Sequence, residues 1–171
     1  SLHATYFQSF EAMVNSNERK PALEYMGSAP GSYSSYQDQV AVVIKGNEIE
    51  LERILKIFTT IDLSNNKFKG EIPSMVGKLN SLRLLNLSHN SLVGHIPISL
   101  GDLSVLESLD LSSNQLVGNV HMQRTRLTFL EILNLSHNHL MGPIPREKQL
   151  FTFENDSYIG NLGLCGLPLT N

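Results

Sequence analysis

The chain has 171 residues, 41% of them hydrophobic, and a formal net charge of -3. That is enough apolar material for one continuous core, and the slight acidity gives no basis for a nucleic-acid or anionic-membrane partner. No run approaches the roughly 18 apolar residues of a membrane span, and Ser1-Leu2-His3-Ala4 has neither the basic start nor the apolar stretch of a signal peptide.

In chain order, the segment 1–58 breaks the period found further on. Ser16-Asn17-Glu18-Arg19-Lys20-Pro21 reads as a polar loop, and Gly27 to Tyr36, rich in Gly, Ser and Tyr, as irregular. Gln39 to Lys45 is β-branched and predicts a strand, ended by Gly46-Asn47. Leu51, Ile54, Leu55 and Phe58 follow helical spacing, which predicts a helix from Glu48 to Phe58 covering the edge of the first repeat.

From Ile61 the sequence becomes periodic. The units Ile61 to Pro73, Leu85 to Pro97, Leu109 to His121 and Leu133 to Pro145 recur with a 24-residue period. Each reads L-x-L-S-x-N-x-L-x-G-x-I-P, and such a period marks a solenoid. Leu85 and Leu87 alternate with polar residues, the pattern of a strand with one buried face. Stacking the units predicts an α/β repeat solenoid with a curved parallel sheet, one strand per repeat, each repeat touching its neighbours. Asn66, Asn90, Asn114 and Asn138 are the structural ladder: an amide offers two donors and an acceptor to the turns of adjacent coils. Gly70, Gly94, Gly118 and Gly142 let the chain bend, and the Pro that comes after fixes φ as it leaves for the outer side. Met75, Val76, Leu79, Leu100 and Leu103 are expected to pack that side in short helical turns. The third unit departs from the pattern at Val120 and His121, and Met122 to Arg126 is polar and basic.

This pattern, with its G-x-I-P element, resembles the plant extracellular class of leucine-rich repeat over about residues 59–145. Gly160 to Leu169, containing the single Cys165, resembles the carboxy-terminal cap of plant receptor-like proteins and receptor kinases. There the Cys pairs with another a few residues downstream, and this chain ends at Asn171 before one is reached. Phe10-Glu11-Ala12-Met13 resembles the point where a repeat runs into the non-repeat island of that family. The resemblance implies four segments: 1–10, the end of a preceding repeat; 11–58, an island with a strand and a short helix; 59–145, four repeats; and 146–171, an incomplete cap. It also implies the last part of a receptor ectodomain on the outer face of the plant plasma membrane, joined to the membrane only by a downstream span. The implied partners are a peptide or protein ligand and a co-receptor kinase ectodomain of the somatic-embryogenesis receptor kinase type, in defence or developmental signalling, with no cofactor. The alternative is a secreted inhibitor of a microbial enzyme, similar to polygalacturonase-inhibiting proteins, against which the island argues.

Nothing in the sequence points to catalysis: there is no G-x-S-x-G, no H-E-x-x-H and no phosphate loop after a strand. His89 and His137 share a sheet column but lie two strands, roughly 10 Å, apart, too far for one Zn²⁺. Binding is expected on the concave face, in columns Thr60, Leu84, Ser108, Ile132; Asp62, Asn86, Asp110, Asn134; Ser64, Ser88, Ser112, Ser136; and Asn65, His89, Ser113, His137. Leu84 and Ile132 read as exposed apolar contacts, flanked by Arg83, Glu107 and Glu131, with Tyr33 and Tyr36 of the island as further contact candidates. Three N-x-S sequons, at Asn86, Asn134 and Asn155, are candidate glycosylation sites, the first two arising within the repeat consensus. Glycans on Asn86 and Asn134 would shield the middle of the concave face and direct a partner to its edges.

Overall fold

A computed structural model describes residues 2, 5–8, 40–44, 47–51, 59–121, 127–145 and 150–169. It divides into two units, one of residues Ser1–Ser16 with Thr60–Asn171 and one of residues Asn17–Thr59.

The smaller unit contains an antiparallel pair, β1 (Val40–Ile44) and β2 (Asn47–Leu51), with Ile44 opposite Asn47. Of the strand expected over 39–45, Val40–Ile44 is strand, and Gln39 and Lys45 lie outside the described residues. The helix expected over 48–58 does not start at Glu48: residues through Leu51 are strand, and 52–58 lie outside the described residues. Glu48-Ile49-Glu50-Leu51 alternates polar and apolar, and that two-residue period prevails over the helical spacing that begins at Leu51. The loops expected over 16–21 and 27–36, the Phe10–Met13 junction and the 122–126 segment also lie outside the described residues.

In the larger unit, β3 (Thr60–Asp62), β5 (Leu84–Asn86), β7 (Ser108–Asp110) and β9 (Ile132–Asn134) form a parallel sheet in that order. Thr60, Leu84, Ser108 and Ile132 lie side by side, so the register equals the 24-residue repeat. The central residues Ile61, Leu85, Leu109 and Leu133 are buried in one core with Leu87, Leu111 and Leu135. On the outer side, 3-10 helices at Ser74–Lys78 and Ile98–Asp102 each follow the repeat's Pro, and Val76, Leu79, Leu100 and Leu103 are buried with Met75 partly so. Residues near the amino end join this core: Leu2 and Phe7 are buried, and the Leu2 N–H donates to the Lys69 carbonyl at 3.1 Å.

Each repeat also carries a second strand that periodicity alone did not reveal. β4 (Lys69–Glu71), β6 (Ser91–His95), β8 (Gln115–Gly118), β10 (His139–Pro143) and β11 (Gly163–Cys165) form a second parallel sheet beside the first. The repeat's glycine lies in or at the end of this strand with positive φ, 79° at Gly94 and 83° at Gly118. The reason is close approach from the previous coil. A Cβ on Gly118 would meet the His95 ring, and one on Gly142 would meet the Asn119 Oδ1 at 2.8 Å.

The fifth strand shows that the stack continues into the segment read from sequence as a cap. Leu164 is buried one full 24-residue period after Leu140, and Gly166 takes positive φ at the same interval after Gly142. Instead of a fifth strand in the first sheet there is a 3-10 turn, Asn155–Ser157, whose Ser157 carbonyl accepts the Leu135 N–H at 2.7 Å.

Candidate functional site

The turn after each concave strand is built by amides. Asn114 Nδ2 donates to the carbonyls of Leu87, Leu111 and Ser112, and its Oδ1 accepts the Leu92 N–H at 3.0 Å. Asn138 repeats this with Leu111, Leu135, Ser136 and Leu116, and Asn90 with Leu63, Leu87, Ser88 and Phe68. Asn114 and Asn138 are buried and Asn90 is half-buried. Asn66 corrects the expected ladder: it is exposed, and its two bonds, to the Leu63 and Ser64 carbonyls, close its own turn. Asn161, which sequence reasoning missed, extends the ladder at the other end. It is 5% exposed, donates to the Leu135 and Tyr158 carbonyls and accepts the Leu140 N–H.

The Asp/Asn column on the concave sheet serves structure as well. Asp62 Oδ1 accepts the Ser64 N–H, Asn86 Oδ1 that of Ser88, Asp110 Oδ1 that of Ser112 and Asn134 Oδ1 that of Ser136. These are side-chain caps on the turn two residues on. Ser112 and Ser136 also donate their hydroxyls back at 2.7 Å. Asn86 Nδ2 reaches across one strand to Asp62 Oδ2 at 3.3 Å. Asn86, expected among the binding columns of this face, is 4% exposed between its neighbours on β3 and β7, and Ser88, Ser112 and Ser136 of the next column are buried as well. Asn134, at the last strand, is half-buried, and Asn155 is exposed.

What remains open on this face is a smaller set. Ile132 is 41% exposed, while Leu84 is half-buried, short of the exposure expected for it, because its column is flanked on both sides by strands. Arg83 forms an ion pair with Glu107 in the next repeat, both partly exposed, and Glu131 beyond them is exposed. His89 and His137 are exposed, and they share with Asn65 and Ser113 a left-handed backbone, φ 53–55°. That conformation costs a residue with a Cβ roughly 1–2 kcal/mol. It persists because each N–H is thereby aimed at the next coil: His89 at the Ser112 carbonyl, 2.9 Å, and His137 at that of Ile159, 2.8 Å. Gly160 occupies the equivalent place in the last coil at φ 80°, and a Cβ there would meet His137 Nδ1 at 2.5 Å. Tyr33 and Tyr36 lie outside the described residues. Exposed Met141, Ile159, Leu162 and Leu167 on or beside the terminal coil were not singled out by sequence, since no repeat rule marks them.

Among the described residues, no three His, Cys, Asp or Glu side chains group so as to hold a metal, and no helix is long and apolar enough to cross a membrane. The arrangement is a sheet surface whose side chains stand at the spacing of the strand register.

Two models of the leucine-rich repeat family match the chain, at residues 57–116 and 129–148. The interval between them contains the irregular end of the third unit, with Val120 and His121. Receptor-like protein 18 of Arabidopsis thaliana is 43% identical over 86 residues, covering 49% of this chain and 10% of that protein. Receptor-like protein 32 of the same plant is 43% identical over 84 residues, with 48% and 9% covered. The chain thus spans about a tenth of the length of the curated relatives it matches. Among solved structures, the BIR3–SERK2 complex from Arabidopsis thaliana aligns with TM-score 0.61 and 42% identity over 66% of this chain and 59% of the matched one. The Arabidopsis receptor kinase HAESA, in complex with the peptide hormone IDA and the co-receptor SERK1, aligns with TM-score 0.55 and 43% identity over 63% of this chain and 18% of its own. The repeat region of this chain is a leucine-rich repeat solenoid, and its sequence is similar to that of plant receptor-like proteins.

Proposed function

We propose that this chain is a non-catalytic interaction module of a plant cell-surface receptor-like protein, working in ligand perception and co-receptor pairing. The observation that carries the reading is the concave face: its repeat-motif letters are locked into turns, while Ile132, Glu131, His89 and His137 stay exposed on a scaffold of hydrogen-bonded strands. Such a surface holds contacts at fixed spacing with little ordering cost on binding. HAESA and PEPR1, whose ectodomains are 43% and 42% identical to this chain where they align, are solved with a peptide hormone and with AtPEP1 respectively. The partners proposed here are a peptide or protein ligand and a co-receptor ectodomain of the SERK type, and the location proposed is the outer face of the plasma membrane. The proposed organisation keeps residues 1–10 as the end of a preceding repeat, which the buried Leu2 and Phe7 support, 11–58 as an island, 59–145 as four repeats and 146–171 as a cap.

The test is binding of a purified SERK-type ectodomain to this chain by biolayer interferometry. Ile132→Asp and Glu131→Lys are expected to weaken binding about tenfold or more each, a loss of at least roughly 1.4 kcal/mol. Replacing residues 32–36, with Tyr33 and Tyr36, by a Gly/Ser linker tests the island. Unchanged affinity in all three variants would remove both surfaces from the contact.

A further inference from the structure

The three N-x-S sequons occupy different environments. In the first, Asn86 is buried, its Nδ2 donates to Asp62, and Ser88 is buried beside it. In the second, Asn134 is half-buried, with Oδ1 holding both the N–H and the hydroxyl of Ser136. The third, Asn155-Asp156-Ser157, lies on the 3-10 turn of the terminal coil. Asn155 is exposed, and its side-chain amide has no protein partner among the described residues. Its backbone is nonetheless fixed. The Asn155 carbonyl accepts the N–H groups of Tyr158 and Ile159 at 2.9 and 3.0 Å. Tyr158 is fully buried and donates its hydroxyl to the Leu150 carbonyl at 3.0 Å. The side chain stands in solvent on a turn that does not have to move to admit a bulky adduct.

We propose that Asn155 carries an N-linked oligosaccharide and that Asn86 does not. The inference rests on the extracellular reading above, since the donor is a lipid-diphosphate-linked oligosaccharide met only in the secretory pathway. In the transfer, the Asn155 Nδ2 forms a bond to the anomeric carbon of the first sugar. The bond from that carbon to the donor's phosphate oxygen breaks, the lipid diphosphate leaves, and the amide gives up one proton. The same adduct on Asn86 would replace a hydrogen on an amide packed between Asp62 and Asp110, and the folded sheet has no space for it. The consequence reverses the shielding expected from sequence. The part of the face around Asn86 on β5 stays uncovered, and the sugar on Asn155 sits on the turn next to β9, where it obstructs another chain from pairing with that end of the sheet.

The test expresses the full chain in plant cells behind a cleavable secretion leader, with an acceptor sequon in the affinity tag, and maps glycopeptides of the monomeric secreted product by mass spectrometry. Glycan is expected at Asn155 and absent at Asn86, and Asn155→Gln is expected to abolish the mobility shift that glycosidase treatment removes. An occupied tag with a bare Asn155, or glycan on Asn86 in monomeric material, overturns the proposal. The protein from its own plant tissue separates the two readings: bare sequons there, with Asn155 occupied in the leader-driven product, keep the site and refute the extracellular location.

Discussion

Asn66 and Asn161 stand at opposite ends of one column of amides, and only Asn161 is buried. The two bonds of Asn66 stay within its own turn, to the Leu63 and Ser64 carbonyls. Asn161 reaches back to the Leu135 carbonyl and receives the Leu140 N–H, both from the preceding coil. A ladder amide thus acts on the coil before it. The motif letter is the same, but its energetic weight depends on what precedes it in the stack. A buried amide that satisfies a neighbouring coil cannot be removed without leaving those groups unpaired, whereas an exposed one is replaced by water.

The contrast between the two ends is sharpened most by the middle of the column. Asn114→Ala leaves the Leu92 N–H without its partner and takes one of the donors from the Leu87, Leu111 and Ser112 carbonyls, and is expected to destabilise by about 1–3 kcal/mol in urea unfolding. Asn161→Ala has fewer bonds to lose and is expected at the lower end of that range, about 1–2 kcal/mol. Tyr158→Phe removes one buried bond, to Leu150, for about 1 kcal/mol. It also removes a pH dependence. Burial pushes the Tyr158 phenol from 10.0 up to about 12, so the unfolded chain ionises first. The contribution of the neutral phenol is complete below pH 10 and lost as pH rises toward about 12. Alkaline unfolding of Tyr158→Phe is expected to lack that decline. Asn66→Ala is the smallest change, within about 0.5 kcal/mol as for other surface substitutions.

The repeated part of this architecture was readable because each letter answers one backbone demand. Leu85 fills the core, Asn114 pairs orphan groups, and Gly118 clears the His95 ring. The second sheet escaped notice because its strands contain or end on the glycine that sequence rules treat as a bend, as Gly70 does in Lys69–Glu71. The fifth coil escaped because Asn161 falls one position short of a full 24-residue step from Asn138, with exposed Leu162 restoring the register before Leu164. Gly166 kept the 24-residue step and was the signal available. The hairpin strand Asn47–Leu51 was obscured by helical spacing in the residues after it. Of the candidate surface, the columns were legible but not their availability. Asn86 and Ser88 occupy outward positions by sequence, and packing between adjacent columns with hydrogen-bonded turns buries them. Ile132 and His89 obey no repeat rule, so nothing in the sequence says what they contact.

The most direct test of the coil-to-coil ladder is amide hydrogen exchange at Leu92, Leu116 and Leu140, whose N–H groups are held by Asn114, Asn138 and Asn161. The ladder predicts that all three are protected in the parent chain, and that Asn161→Ala selectively exposes Leu140 to exchange while Leu92 stays protected. A Leu140 amide that exchanges at the same rate with Asn161 or Ala at that position would contradict a ladder running into the terminal coil.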